Sequence, residues 1–214
     1  MRLVSILGDS ISTFEGYNPQ GYSVFYNEKE QCRNGLRSVC DTWWAKVNQA
    51  LKAFLCVNNS YSGSRVTGTG FPSASCNERL LHLCTDQYTP DIILVYIGFN
   101  DFGNGVKVKK GFLKKDLLSF EYAYDIMVST LKNRYPNSTI ICGTLMRSTI
   151  KKQNDWVFPE RYAGMNFSNY NSVIRQICKK RKCFVADLEN VMLKYETLDG
   201  THPTAEGHMT IAKA

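Results

Sequence analysis

Pro90-Asp91-Ile92-Ile93-Leu94-Val95-Tyr96-Ile97-Gly98 is the stretch on which the fold turns. Ile92 to Ile97 is a continuous apolar run, with neither the alternation of a half-exposed strand nor the spacing of a surface helix. It is rich in branched side chains, with Pro90 ahead and Gly98 behind. A short run of that kind is a strand covered on both faces. Such strands belong to parallel sheets with helices packed above and below.

The pattern repeats outward from that strand. Leu3 to Leu7, Ala53 to Val57, Thr139 to Cys142 and Cys183 to Ala186 are further short apolar runs and read as strands. Helical stretches separate them, over Thr42–Leu55, Asn77–Cys84, Leu117–Arg134 and Phe167–Lys180. Phe120, Tyr124, Met127 and Leu131 recur at helical spacing, as do Phe167, Tyr170, Ile174 and Ile177. Pro203 is expected to open a terminal helix, since proline suits a first turn. The expectation is an α/β fold: a three-layer α/β/α sandwich with a five-stranded parallel sheet, flavodoxin-like in size. One domain over residues 1–214 is expected, with an aromatic-rich insertion at about 13–40 and no internal repeat.

Length and composition agree with this. The 214 residues can bury a core without disulfide staples. With 43% hydrophobic and 21% charged residues the chain is ordinary globular protein. Its apolar runs are too short to span a bilayer, so no membrane partner is expected. The formal charge of +7 admits an anionic partner without demanding one. The basic runs Lys107–Lys109–Lys110–Lys114–Lys115 and Lys179 to Lys182 carry no nucleic-acid motif and read as solvated faces. No secretory signal follows Met1, so the expected location is cytoplasmic, or exported if a leader once preceded residue 1. None of the eight cysteines forms a C-x-x-C pair, so all are expected to be reduced. Cys32 with Cys40 is the pair to watch. His82 reads as structural, and His208 lies six residues beyond His202 on another helical face, which argues against a shared metal. No cofactor or metal is implied.

Ligands in open α/β sheets sit outside the carboxyl ends of the strands. Four stretches there could carry chemistry. Gly8-Asp9-Ser10-Ile11-Ser12 places a serine directly after the first strand, although such a turn could equally be capped by its serine. Asp199-Gly200-Thr201-His202-Pro203 offers a carboxylate to the imidazole three residues on, or merely a capping turn. Gly98-Phe99-Asn100-Asp101 brings a side-chain amide to the same edge. Asn59-Ser60-Tyr61-Ser62-Gly63-Ser64 supplies a glycine whose backbone can approach a ligand closely. The N–H groups of Ser10 and Gly63 and the amide of Asn100 could then serve a developing oxyanion.

With these four motifs in this order, the chain resembles the SGNH, or GDSL, hydrolases, a family of serine esterases and acylhydrolases. The matching positions are Ser10, Gly63, Asn100 and His202, and the resemblance covers nearly the whole chain. It implies Ser10 as nucleophile, His202 as general base and then acid, and Asp199 as its orienting carboxylate. It implies an oxyanion hole of Ser10, Gly63 and Asn100, and a small-molecule ester substrate. Two departures stand out. About 28 residues, Thr13 to Cys40, follow the nucleophile where many members begin a helix. They carry Phe14, Tyr17, Tyr22, Phe25 and Tyr26, either packed on one another or forming a wall that offers stacking faces to a sugar or aromatic acyl group. Phe99 adds apolar bulk beside Asn100. The insertion favours a short acyl group on a carbohydrate. The competing reading is a flavodoxin-like phosphate- or flavin-binding module without hydrolase activity, in which Ser10, Ser12 and Thr13 hold a phosphate.

Overall fold

The computed structural model describes residues 1–109 and 116–214. In chain order the elements begin with β1 (Arg2–Gly8), α1 (Glu28–Arg33), α2 (Trp43–Ala50), β2 (Ala53–Ser60), α3 (Asn77–Leu80) and β3 (Ile92–Tyr96). There follow α4 (Phe99–Gly103), α5 (Phe120–Arg134), β4 (Thr139–Gly143), β5 (Ser148–Ile150), β6 (Arg161–Tyr162) and β7 (Met165–Asn166). The chain ends with α6 (Phe167–Arg181), β8 (Phe184–Ala186), β9 (Tyr195–Thr197) and α7 (Ala205–Lys213).

The central sheet has five parallel strands in the order β2-β1-β3-β4-β8. From β1 the chain steps outward to β2, then returns past β1 to β3 and continues to β4 and β8. That reversal creates a switch point between β1 and β3, where a crevice opens at the carboxyl ends. Right-handed crossovers in the two directions put helices on opposite faces. α5 packs with α6, and α2 packs with α7. Val4, Ile6, Ile93, Val95 and Ile140 of the sheet are buried beneath Tyr124, Met127, Ile174 and Ile211 from the helices.

The sequence boundaries need correction in several places. Thr42 is the N-cap of α2, its hydroxyl accepting from the Ala45 N–H. The helix stops at Ala50, not Leu55, because Lys52 turns to a φ of 50° and the chain enters β2 at Ala53. α3 spans only Asn77–Leu80, and α5 begins at Phe120, not Leu117. Pro203 does not open α7. It bridges to Thr197, and Thr204 caps the helix by accepting from the Gly207 N–H. β5 with β9 and β6 with β7 form two small extra sheets that periodicity did not indicate.

All eight cysteines are free, and Cys32 and Cys40 are exposed and unpaired. Lys107 and Lys109 are exposed, whereas Lys110, Lys114 and Lys115 lie outside the described residues. In the second basic run, Lys180 and Arg181 pair with Asp125 on α5. Among the described residues no helix is long and apolar enough to cross a membrane. None of their His, Cys, Asp and Glu side chains cluster in threes that could hold a metal ion.

Candidate active site

β1 ends at Gly8, and the next residues wind into a single 3-10 turn, Ser10–Ser12. Asp9 caps that turn, its Oδ1 accepting from the Ile11 N–H at 3.0 Å. Only glycine fits at position 8: a Cβ there would stand 2.6 Å from the Ser12 Oγ and 2.9 Å from the Ser60 Oγ. The turn lifts Ser10 onto the carboxyl edge of the sheet.

Residues 199–203 reach the same point from the far end of the chain. Asp199 Oδ1 accepts the N–H groups of Thr201 at 2.9 Å and His202 at 2.8 Å, while Oδ2 lies 2.7 Å from His202 Nδ1. A carboxylate only accepts, so Nδ1 carries the proton and Nε2 keeps its lone pair. Nε2 lies 3.0 Å from the Ser10 Oγ. Partial burial pushes the Asp199 carboxyl up, but the His202 ring and the two N–H groups outweigh it and bring it down to about 2. The chain of contacts from carboxylate to imidazole to hydroxyl is thus complete across 192 residues of sequence.

Asn100 sits in the first turn of α4, and its Nδ2 donates to the Ser64 carbonyl at 2.9 Å. One amide hydrogen is used there, and a second remains. Gly63 occupies the turn beside Ser64 with a φ of 78°, a conformation that suits glycine. Neither the Ser10 nor the Gly63 N–H donates to another described residue. Ser10, His202 and Asp199 are thus joined by direct contacts, and Asn100 is joined to the turn that carries Gly63. Phe99 does not stand free beside Asn100; it is buried against Tyr96, Phe167 and Tyr195.

Two buried charges brace this edge, and sequence reasoning missed both roles. Arg79, fully buried, donates to Asn59 Oδ1 (3.1 Å), the Asn59 carbonyl (2.6 Å), Ser64 Oγ (2.8 Å), the Pro72 carbonyl (2.9 Å) and the Gly8 carbonyl (2.7 Å). It thereby ties the end of β1 to the turn that carries Gly63 and anchors Asn100. Burial lowers it to about 10, so it remains a cation at neutral pH. An arginine in a short amphipathic helix reads as solvent-facing, and no signal in the sequence marks it otherwise. Asp101 accepts from the Val66 N–H, the Thr67 N–H and the Thr67 hydroxyl at 2.8–3.1 Å. Burial pushes its carboxyl up to about 6, and burial does the same to Asp9.

Segment 13–40 is engaged with the site. Phe25 stacks face to face on His202, with ring centroids 3.5 Å apart and planes 5° from parallel. Thr13 Oγ1 donates to the Ser10 carbonyl and accepts from the Phe25 N–H. Tyr26 and Asn34 donate to the Pro203 carbonyl, and Asn34 also to that of His202. The segment therefore straps the Ser10 turn to the His202 loop. Phe14 and Tyr26 are core residues, whereas Tyr22 packs with Tyr61 and Phe71 at the surface.

The phosphate-binding alternative loses its ligands here. Ser12 and Thr13 are buried, and the Ser12 hydroxyl accepts from Trp43 Nε1. His208 is buried in α7, 3.2 Å from the Trp43 N–H through Nδ1, and takes no part in the edge. His82 is exposed, its Nδ1 2.7 Å from the Glu78 carbonyl.

A family model described as GDSL-like Lipase/Acylhydrolase matches residues 2–214. Among solved structures, a GDSL-like lipase from Bacteroides ovatus is 29% identical, with a TM-score of 0.73 over 100% of this chain and 95% of that one. A GDSL-like lipase from Bacteroides uniformis is also 29% identical, with a TM-score of 0.71 over 100% and 92%. A carbohydrate acetylesterase family member from Sinorhizobium meliloti shares the fold at 15% identity, with a TM-score of 0.61 over 100% and 94%. No curated protein matches the chain.

Proposed function

The chain belongs to the GDSL-like lipase/acylhydrolase family, a family of esterase-type hydrolases, and from that premise we propose that it hydrolyses a small carboxylic ester through a Ser10–His202–Asp199 triad. The observation that carries the reading is the pair of contacts at His202, 3.0 Å to the Ser10 hydroxyl and 2.7 Å to the Asp199 carboxylate.

His202 Nε2 takes the Ser10 proton as Oγ attacks the carbonyl carbon, and Asp199 stabilises the imidazolium that forms. The developing oxyanion is received by the N–H groups of Ser10 and Gly63 and by the second amide hydrogen of Asn100. Collapse of the tetrahedral species breaks the ester C–O bond, and His202 returns its proton to the leaving alcohol. Water, deprotonated by the same imidazole, then attacks the acyl-Ser10 ester and releases the acid. The Phe25 ring on the face of His202 restrains rotation of the imidazole through this cycle.

A short acyl group on a carbohydrate is the substrate proposed. The aromatic side chains around the site support that choice, as does the shared fold with a carbohydrate acetylesterase family member. The reading calls for no metal or cofactor. The test is Ser10→Ala assayed on 4-nitrophenyl acetate and on acetylated methyl glycosides. The variant is expected to melt with the parent and to lose turnover by a factor of 10⁴ or so. Turnover within tenfold of the parent would remove Ser10 from the mechanism.

A further inference from the structure

A cavity of about 300 Å³ lies between α4, the triad loop and the segment 156–162. Trp156, Phe158 and Tyr162 are its flat walls, and Asn100, Asp199 and Thr201 contribute polar lining. The wall is anchored: Phe158 is buried and packs against Phe167 with ring centroids 4.7 Å apart. Tyr162 is 49% exposed, so its surface is available to a ligand. The loop on the other side is held as well. The Gly200 carbonyl accepts from the Ser148 hydroxyl at 2.6 Å, and the Thr201 carbonyl accepts from the Tyr195 hydroxyl at 3.0 Å.

His202 must hand a proton to the departing alkoxide, so that oxygen lies within hydrogen-bond reach of Nε2. The alcohol half of the ester therefore leaves beside His202, and the cavity is lined by Asp199, Gly200 and Thr201 of the same loop and by Asn100. The volume is about twice the ~150 Å³ that encloses a benzene ring. It holds one substituted six-membered ring. The lining joins aromatic faces to a carboxylate, an amide and a hydroxyl. That combination suits a ring with apolar C–H faces and a polar rim.

We propose that this cavity is the subsite for the alcohol half of the substrate and takes a single monosaccharide ring, stacked on Trp156 and Tyr162. The assignment rests on the esterase reading above and adds to it the residues that select the substrate.

Two measurements test it. The first compares kcat/KM for an acetylated methyl glycoside and for ethyl acetate, which share an acyl group and differ in alcohol. The wild type is expected to favour the glycoside ester at least 100-fold. Trp156→Ala and Tyr162→Ala should each reduce that ratio about tenfold, the scale of one lost aromatic contact. The second titrates Ser10→Ala with the unhydrolysed glycoside ester and follows tryptophan fluorescence. Trp43 and Trp44 are only 6% and 2% exposed, so the expected change reports on Trp156 and should vanish in Trp156→Phe. Equal kcat/KM for the two esters, or a ratio unmoved by both wall variants, overturns the sugar subsite while leaving the esterase reading intact. Absence of all ester turnover overturns the esterase reading instead. The titration needs no turnover and still decides the cavity: no change in fluorescence refutes it.

Discussion

Replacing Arg79 with methionine removes five hydrogen bonds at once while keeping much of the side-chain volume. The Gly8 carbonyl would retain the Tyr61 N–H as a second donor. Both Asn59 acceptors, the Pro72 carbonyl and the Ser64 hydroxyl lose the guanidinium that binds them. A buried acceptor left without a donor costs roughly 1–3 kcal/mol. Three of the four are fully buried and the Pro72 carbonyl only partly, and their summed cost overstates the net loss because the variant no longer has to desolvate a cation. The expected loss is therefore about 3–5 kcal/mol, the usual scale for breaking a buried charged contact from one side. With a urea dependence of about 2 kcal/mol per molar, the unfolding midpoint should fall by about 2 M. Arg79→Lys keeps the charge and three donors, so it should recover part of the loss. Its kcat should still fall, since Lys cannot hold Gly8, Asn59 and Ser64 in one geometry. Equilibrium urea unfolding followed by circular dichroism gives the midpoints. A methionine midpoint within 0.5 M of wild type would refute the view that Arg79 braces this edge.

Four further outcomes follow from particular contacts. Asp199→Asn would present an amide N–H to His202 and disturb its tautomer, so kcat should drop by roughly 10³–10⁴ with little change in melting temperature; a loss under tenfold would contradict the triad geometry. Gly63→Ala meets no neighbour within 4 Å but must hold a φ of 78°, so stability should fall by about 1 kcal/mol, read by urea unfolding. Phe25→Ala removes the ring from the face of His202 and should lower kcat about tenfold more than it raises KM, read from steady-state rates on one ester. The fourth concerns pH. Burial, with Lys46 nearby, lowers His208 to about 3, well below the ~6.5 of an unfolded histidine, so its contribution to stability is present above pH 6.5 and is lost as pH falls toward 3. Asp9 and Asp101, raised to about 6, act oppositely: their contribution is present below the unfolded value near 3.8 and is lost as pH rises through 6. In His208→Asn the acid loss should therefore disappear and the melting temperature should decline between pH 4.5 and 6.5; an unchanged pH profile would contradict the burial argument.

The sheet was legible because its strands are covered on both faces. Ile92–Ile97 has no alternation to confuse it, and Gly98 marks its end. α5 and α6 were legible through their periodic aromatic and aliphatic residues. Proline's fitness for a first turn is only a local preference and does not fix the N-terminus of α7. Here a bridge from Pro203 to Thr197 holds it outside the helix, and Thr204 caps instead. β5 and β9 escaped notice because three-residue strands carry too few side chains to show a period.

The site divides in the same way. Ser10, Gly63, Asn100, Asp199 and His202 follow strands or precede the last helix, where topology and motif coincide. Arg79 and Asp101 are supports whose importance comes from burial, and burial of a charge cannot be read from its neighbours in sequence. Of the two readings of segment 13–40, packing of its aromatics on one another is seen in the pairs Phe14–Tyr17 and Phe25–Tyr26, with Phe14 and Tyr26 in the core, while the face of Phe25 is taken by His202.

The most direct test of the central claim is covalent labelling with a fluorophosphonate, followed by peptide mass spectrometry. The reagent should attach to Ser10 in a single equivalent, abolish ester turnover in proportion, and fail to react with His202→Ala. Labelling at another residue, or full turnover after Ser10 is modified, would contradict the account.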